Sequence, residues 1–306
     1  MAFRNRQADA GVDADAWGSD HADTVDVVGR PFQPSPHTEL SVIVPAYRDR
    51  QHIRANLERL GRALDGTGLV WEVIVIVDGD SETFRHARSV ADERIQVHGY
   101  QANRGKGFAL RYGMTMARGA LITILDSDMD IAPEEIGRMV RLLRLYEADV
   151  VVGSKRHPLS RVRYPWFRRF QSACYQLMVR VLFRVNVRDT QTGLKVMRRE
   201  VARRVLRVAL VKRFAFDLEL LALANRFGFR RIIEAPVEID FQFASTTNLR
   251  AVFRVLWDTM AIFYRLRIRR WYDRRDAPGL IAMKAALPSL IVLTEQIEAV
   301  AVAESA

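Results

Sequence analysis

What most constrains this chain is an alternation between residues 40 and 152. Short apolar, β-branched runs take turns there with segments of helical spacing. Residues 40–45 (LSVIVP), 70–77 (VWEVIVIV), 95–100, 120–125 (ALITIL) and 149–152 read as strands. Residues 50–64 carry Ile53, Leu57, Leu60 and Leu64 at helical spacing, and 81–91, 106–118 and 133–146 also read as helices. Strands that are apolar on both faces must be covered on both faces, and strands alternating with helices pair in parallel. The expectation is an α/β fold with a doubly wound, mostly parallel sheet, whose ligands lie beyond the carboxyl ends of the strands.

Composition narrows the partners. The 306 residues hold 47 Lys and Arg against 36 Asp and Glu, a net charge of +11. Such a surplus asks for an anionic partner: nucleic acid, an acidic membrane surface or a phosphorylated substrate. A single cysteine, Cys174, excludes an intrachain disulfide and a cysteine-built zinc site, and fits a reducing compartment. Residues 1–38 are polar and Asp-rich and read as a disordered tail. The apolar stretch 280–293 contains Lys284 and Pro288 and falls short of the ~20 residues of a bilayer span. No secretory signal is legible at the N-terminus, so a cytoplasmic chain is expected. Residues 164–185 and 249–275 interleave arginines with apolar and aromatic positions. They read either as helices lying on a membrane surface or as helices packed on the sheet with solvated arginine faces.

Chemistry concentrates where strands end. Asp126-Ser-Asp128-Met-Asp130 follows the run ALITIL directly. Spaced carboxylates there can hold Mg²⁺ or Mn²⁺, which take one or two carboxylates and complete their shell with substrate phosphates. The plainer reading is a solvated acidic turn. Upstream, one strand ends in Pro45-Ala-Tyr47-Arg-Asp49 and the next in Val77-Asp78-Gly-Asp80, and Asn103-Arg-Gly105-Lys106-Gly107 opens a helix. Tyr47 can pack on a base, Asp78 can accept from a ribose or a base, and Lys106 can neutralise phosphate. Neither a Walker A loop nor a G-x-G-x-x-G after the first strand is present.

PAYRD, VDGDS, NRGKGFALRYGM, DSDMD, GSKRH, RDTQTGLK and FAFDLELL, in this order, resemble family 2 glycosyltransferases of the GT-A fold. Within them the pattern is similar to the polyprenyl-phosphate sugar synthases, dolichyl-phosphate glucosyltransferase and dolichyl-phosphate mannose synthase, with the last two motifs nearest the glucosyl branch. The resemblance runs from about residue 40 to 242, giving a catalytic domain at 39–248 followed by a C-terminal amphipathic helix and tail at 249–306. It implies that Pro45, Tyr47, Asp49, Val77 and Asp78 line the nucleotide pocket, with Asp49 where the family usually has Glu. It implies that Asp126 and Asp128, with Ser127 between them, hold the metal and donor diphosphate, that Asp130 is a further metal-side residue, and that Lys106 and Lys155 lie near the phosphates. Arg168 and Ser172 match residues that hold an acceptor phosphate. Asp189 either orients an acceptor-side cation or the sugar, or caps a turn; with Asp126 and Asp128 it completes the candidate catalytic set. Asp217 and Glu219 are read as supporting the site or as structural, with Lys212 and Arg213 as potential partners.

The activity implied is inverting transfer of a hexosyl unit from a nucleotide-diphosphate sugar, UDP-hexose before GDP-mannose, to a polyprenyl phosphate, on the cytoplasmic face of a membrane with an anionic surface. VDGDS in place of VDDGS, and Gln242-Phe-Ala-Ser in place of an arginine-containing segment, are departures that bear on base and sugar. The competing readings are a soluble family 2 enzyme with a non-lipid acceptor, and a non-catalytic basic protein that binds membranes or nucleic acid. No nucleic-acid partner is expected, since the chain shows no helix-turn-helix, RNP or zinc pattern.

Overall fold

The computed structural model describes residues 28–29, 37–160, 166–185, 187–206, 208–211, 215–238 and 249–273, with the side chains of 28–29, 166–174, 249–255 and 273 outside the description. Most of the expected tail and everything after residue 273 therefore lie outside the described residues. Within the tail, Val28–Gly29 form a short strand, β1.

The expected alternation is present. Strands β2 (Leu40–Ala46), β3 (Trp71–Asp78), β4 (Ile95–Tyr100), β5 (Leu121–Ile124) and β6 (Val150–Ser154) are separated by helices α1 (Ile53–Asp65), α2 (Ser81–Arg88), α3 (Lys106–Met116) and α4 (Glu135–Leu145). After α5 (Trp166–Phe183) come β7 (Lys195–Arg198), α6 (Arg199–Leu206), α7 (Phe216–Arg226), β8 (Ile232–Pro236) and α8 (Leu249–Phe263). They form one sheet in the order β1-β4-β3-β2-β5-β7-β6-β8. The pairs β2–β3, β2–β5, β3–β4 and β6–β8 are parallel. The exception that matters is β7, which enters antiparallel between β5 and β6.

Alternate residues of the central strands feed two cores. Ile43, Ile74, Ile76, Ile124 and Val152 face α3, α6 and α7, together with Val179 of α5 and Ile262 of α8. Val42, Val44, Val73, Val75 and Val151 face α1, α2 and α4. Covering both faces is what makes near-continuous apolar strands stable. The C-terminal helix is thus part of the main core. It continues through a π-helical turn, Tyr264–Ile268, where the Arg269 amide donates to the Tyr264 carbonyl at 2.9 Å. Tyr272 follows it into the core. Among the described residues no helix is long and apolar enough to cross a membrane.

Candidate active site

Chain order reverses at β2, with β3 and β4 on one side and β5 on the other. A crevice opens at such a switch point, beyond the carboxyl ends of the two parallel neighbours. The ends of β2 and β5 deliver Tyr47 and Asp49 on one side and Asp126 to Asp130 on the other. Tyr47 leaves its ring 43% exposed, with the Arg48 guanidinium 5.1 Å from the ring centre. Asp49 is half-buried, and burial raises its carboxyl above the ordinary range against the opposing hydrogen bond from Ser127. The Asp49 amide donates to Thr83 Oγ1 at 2.8 Å. Asn56 Nδ2 donates to the Ser127 carbonyl at 2.8 Å, tying the acidic turn to α1.

Asp78 has a local task. Its carboxylate accepts from the amides of Arg104 (2.7 Å) and Gly105 (2.8 Å), pinning the Asn103–Gly105 turn to the end of β3. Gly105 caps α3 at φ +90°, a conformation a side chain would resist. The pinned turn aims the first residue of the helix, Lys106, at Asp126, with Nζ 2.7 Å from Asp126 Oδ1. Pro45 and Val77 lie buried in the paired part of β2 and β3, with the Val77 side chain in the core, so their contribution to the crevice is backbone.

β7 completes the site from the far side. Its register sets Lys195 opposite Ile124, which brings Gly193 alongside Asp126. A Cβ at Gly193 would lie 2.3 Å from Asp126 Oδ2, so only glycine leaves that carboxylate its place. Asp128 is pushed up to about 6 by burial and by the charges of Asp126 and Asp130. Asp130 has turned to Lys155, whose Nζ is 3.5 Å away, and Asp189 Oδ2 accepts from the Lys155 amide at 3.2 Å. Asp189 thereby joins the acidic cluster through Lys155.

Three expected ligands do not close into a cage: among the described residues no group of three or more His, Cys, Asp or Glu is arranged to hold a metal. Asp130 pairs instead with Lys155. Two carboxylates with surplus negative charge fit Mg²⁺ or Mn²⁺, which leave the remaining positions to phosphate and water. Arg168 and Ser172 lie on α5 with side chains outside the described ones.

The described partners of Asp217 and Glu219 are other than the expected Lys212 and Arg213. Asp217 pairs with Lys106 (3.3 Å) and Lys195 (2.7 Å). Glu219 accepts from the amides of Leu210 (3.0 Å) and Val211 (2.8 Å), and from the Tyr272 hydroxyl (2.5 Å). Lys212 and Arg213 lie outside the described residues. Lys195, at the head of β7 between Leu194 and Val196, was the available signal, because a charge in a central strand requires a buried partner.

A mostly parallel sheet flanked by helices, with paired carboxylates and a lysine at its switch point, is the architecture of the GT-A class. The glycosyl transferase family 2 model matches residues 41–206, and the chain belongs to that family. It is a glycosyltransferase. It is 27% identical over 256 residues to a dolichyl-phosphate beta-glucosyltransferase of Trichomonas vaginalis, covering 78% of each chain. It is 31% identical over 211 residues to the Drosophila melanogaster dolichyl-phosphate beta-glucosyltransferase, covering 63% of this chain and 65% of that one. In fold it is similar to glucosyl-3-phosphoglycerate synthase from Mycobacterium tuberculosis, with TM-score 0.58 and 17% identity over 75% of this chain and 79% of the other. That enzyme has also been solved with Mn²⁺, UDP-glucose and phosphoglyceric acid, a structure that matches with TM-score 0.57.

Proposed function

We propose that this glycosyltransferase moves a hexosyl unit from a UDP-hexose to a polyprenyl phosphate, with inversion, while lying on the cytoplasmic face of a membrane. The observation that carries the lipid acceptor is the outer surface of α5 and α8. Leu177 and Val181 on α5, and Trp257, Met260, Tyr264 and Ile268 along α8 and its π-turn, are exposed, Trp257 at 77%. Exposed Arg180 and Arg184 flank the first pair, and Arg267 and Arg269 the last. Large apolar groups rimmed by arginines suit the boundary between headgroups and acyl chains. A hydrogen bond between Tyr175 and Thr259 (3.1 Å) joins the two helices, and Gln191, two residues beyond Asp189, donates to Tyr175 at 3.3 Å. Gln191 thus links the junction of the two helices to the loop that carries Asp189.

The chemistry asks little of a general base. A phosphate monoester acceptor is already ionised at neutral pH, so one of its oxygens can attack the anomeric carbon as the nucleoside diphosphate leaves. The task is to hold two anions together and stabilise the leaving group. A divalent cation held by Asp126 and Asp128 would neutralise the departing diphosphate. Lys106 adds a fixed positive charge from α3, Tyr47 offers a face to the base, and Asp49 an acceptor to the nucleoside. Lys155, fixed by Asp189, would face the phosphates, and Arg168 and Ser172 the acceptor phosphate. The UDP-hexose assignment rests on likeness to the beta-glucosyltransferases.

A second reading has its own observation. Beside Asp189, a polar pocket of about 430 Å³ is lined by His157, Pro158, Arg180, Arg188 and Glu234. It suits a small anionic acceptor, which would make the enzyme independent of lipid. One assay separates the two. Labelled UDP-glucose is supplied with a short-chain polyprenyl phosphate or with phosphoglycerate, and label is followed into the organic and aqueous phases. The lipid reading expects metal-dependent organic-phase product. Product in water alone would replace it with the second reading.

A further inference from the structure

Asp217 lies far from the acidic turn in sequence, yet the charges of the donor site converge on it. It occupies the first turn of α7, and its two oxygens are divided between Lys195 Nζ at 2.7 Å and Lys106 Nζ at 3.3 Å. Lys106 reaches on to Asp126 at 2.7 Å. Side-chain exposure runs from 0% at Lys195 through 3% at Asp217 and 15% at Lys106 to 35% at Asp126. A chain of alternating charge thus leads from the core to the crevice. Lys195 is satisfied at its inner end by donating also to the Thr192 carbonyl. Burial would raise the Asp217 carboxyl, but Lys106 and Lys195 outweigh it and hold it below the ordinary range.

Three charges in the interior are expensive, and an apolar trio would pack there at lower cost. The arrangement gives something an apolar trio does not: one ammonium shared by two carboxylates. The Asp217 contact is fixed, because α7 is buried almost throughout. The Asp126 contact is at the solvent end.

We infer that Asp217, backed by Lys195, is a positioning residue that restrains Lys106 between Asp126 and the donor's diphosphate. Lys106 is then an internal counter-ion of Asp126 that transfers its contact to the diphosphate when the nucleotide binds. The inference rests on the nucleotide-diphosphate reading of the crevice. Without Asp217, Lys106 keeps only Asp126 as an ion-pair partner among the described residues and is drawn onto it, away from the nucleotide.

Binding measurements test this without turnover. Mn²⁺ affinity is read from the paramagnetic resonance signal of the free ion, and UDP or GDP affinity by calorimetry at saturating Mn²⁺. The proteins are wild type, Lys106→Gln and Asp217→Asn, each checked by thermal unfolding. Removing the competing ammonium in Lys106→Gln should tighten nucleotide-free Mn²⁺ binding about fivefold and weaken nucleotide binding about tenfold. Asp217→Asn makes the site one charge more positive, so attraction at a distance would by itself tighten the nucleotide. A misplaced Lys106 instead weakens it, by about tenfold, and weakens Mn²⁺ as well. Nucleotide affinity unchanged or improved in folded Asp217→Asn overturns the inference. If that variant does not fold, Lys106→Gln decides, and loss of both affinities there overturns it. A wild type that binds neither Mn²⁺ nor nucleotide would overturn the donor reading and this inference together. A wild type that binds both, with Lys106→Gln weakening Mn²⁺, removes this inference alone.

Discussion

Asp128 is the residue on which the proposed donor site turns. Its carboxyl is pushed up to about 6 by burial and by Asp126 and Asp130, so a cation bound there would relieve the repulsion among them. Asp128→Ala is expected to lower transfer on the order of a hundredfold or more while leaving the fold intact, as turnover and circular dichroism would show. Gly193 makes the same point from the opposite strand. In Gly193→Ala the new methyl would meet Asp126 at 2.3 Å. Turnover should therefore fall at least tenfold with little change in melting temperature, since a small misplacement of reacting groups is costly. Asp126 and Asp128 are legible in the sequence because they sit next to one another after an apolar run. The Lys106–Asp217–Lys195 chain is not, because Lys106 and Asp217 stand 111 positions apart and only the sheet brings them together.

At the scale of elements, β2 to β6 and the helices between them follow from apolar periodicity, with ends displaced by a few residues. The later strands do not. β7 is four residues long with a lysine and an arginine at its ends, and β8 ends in a proline, so neither shows a clean apolar run. What α8 does outside the core is open to measurement. Trp257 and Ile268 lie on its outer side, whereas Ile262 and Leu266 face inward. Changing both outer residues to Glu should abolish co-sedimentation with anionic vesicles without lowering the melting temperature. Activity on a short, water-soluble polyprenyl phosphate should persist. Vesicle binding that survives the double change would remove α8 from the membrane face. β4 carries an element-scale liability of its own. His98 is buried, its Nε2 has no hydrogen-bond partner among the described residues, and burial lowers its pKa to about 4. The unfolded chain binds this proton from about pH 6.5 downward and the folded chain resists it, so stability is full above pH 6.5 and falls as the pH drops toward 4. His98→Leu should flatten that fall, worth about 3 kcal/mol at most, in urea titrations at pH 7 and pH 4.5.

The chain carries a surplus of +11 and exposes apolar groups along α5 and α8, so on the proposed reading attachment to anionic vesicles should weaken steeply between low and high salt. Turnover of a soluble donor and acceptor should change far less. The antiparallel β7 has a consequence in time. A chain emerging from the ribosome has made β2 to β5, with Asp126 and Asp128, long before Gly193 and Lys195 exist. Until β7 arrives, β5 and β6 have no strand to join them, and the pocket that seats Asp126 is open on one side. On the proposed reading, synthesis makes the donor-binding half first and the strand that seats Asp126 later, so a chain that stops before β7 should be inactive.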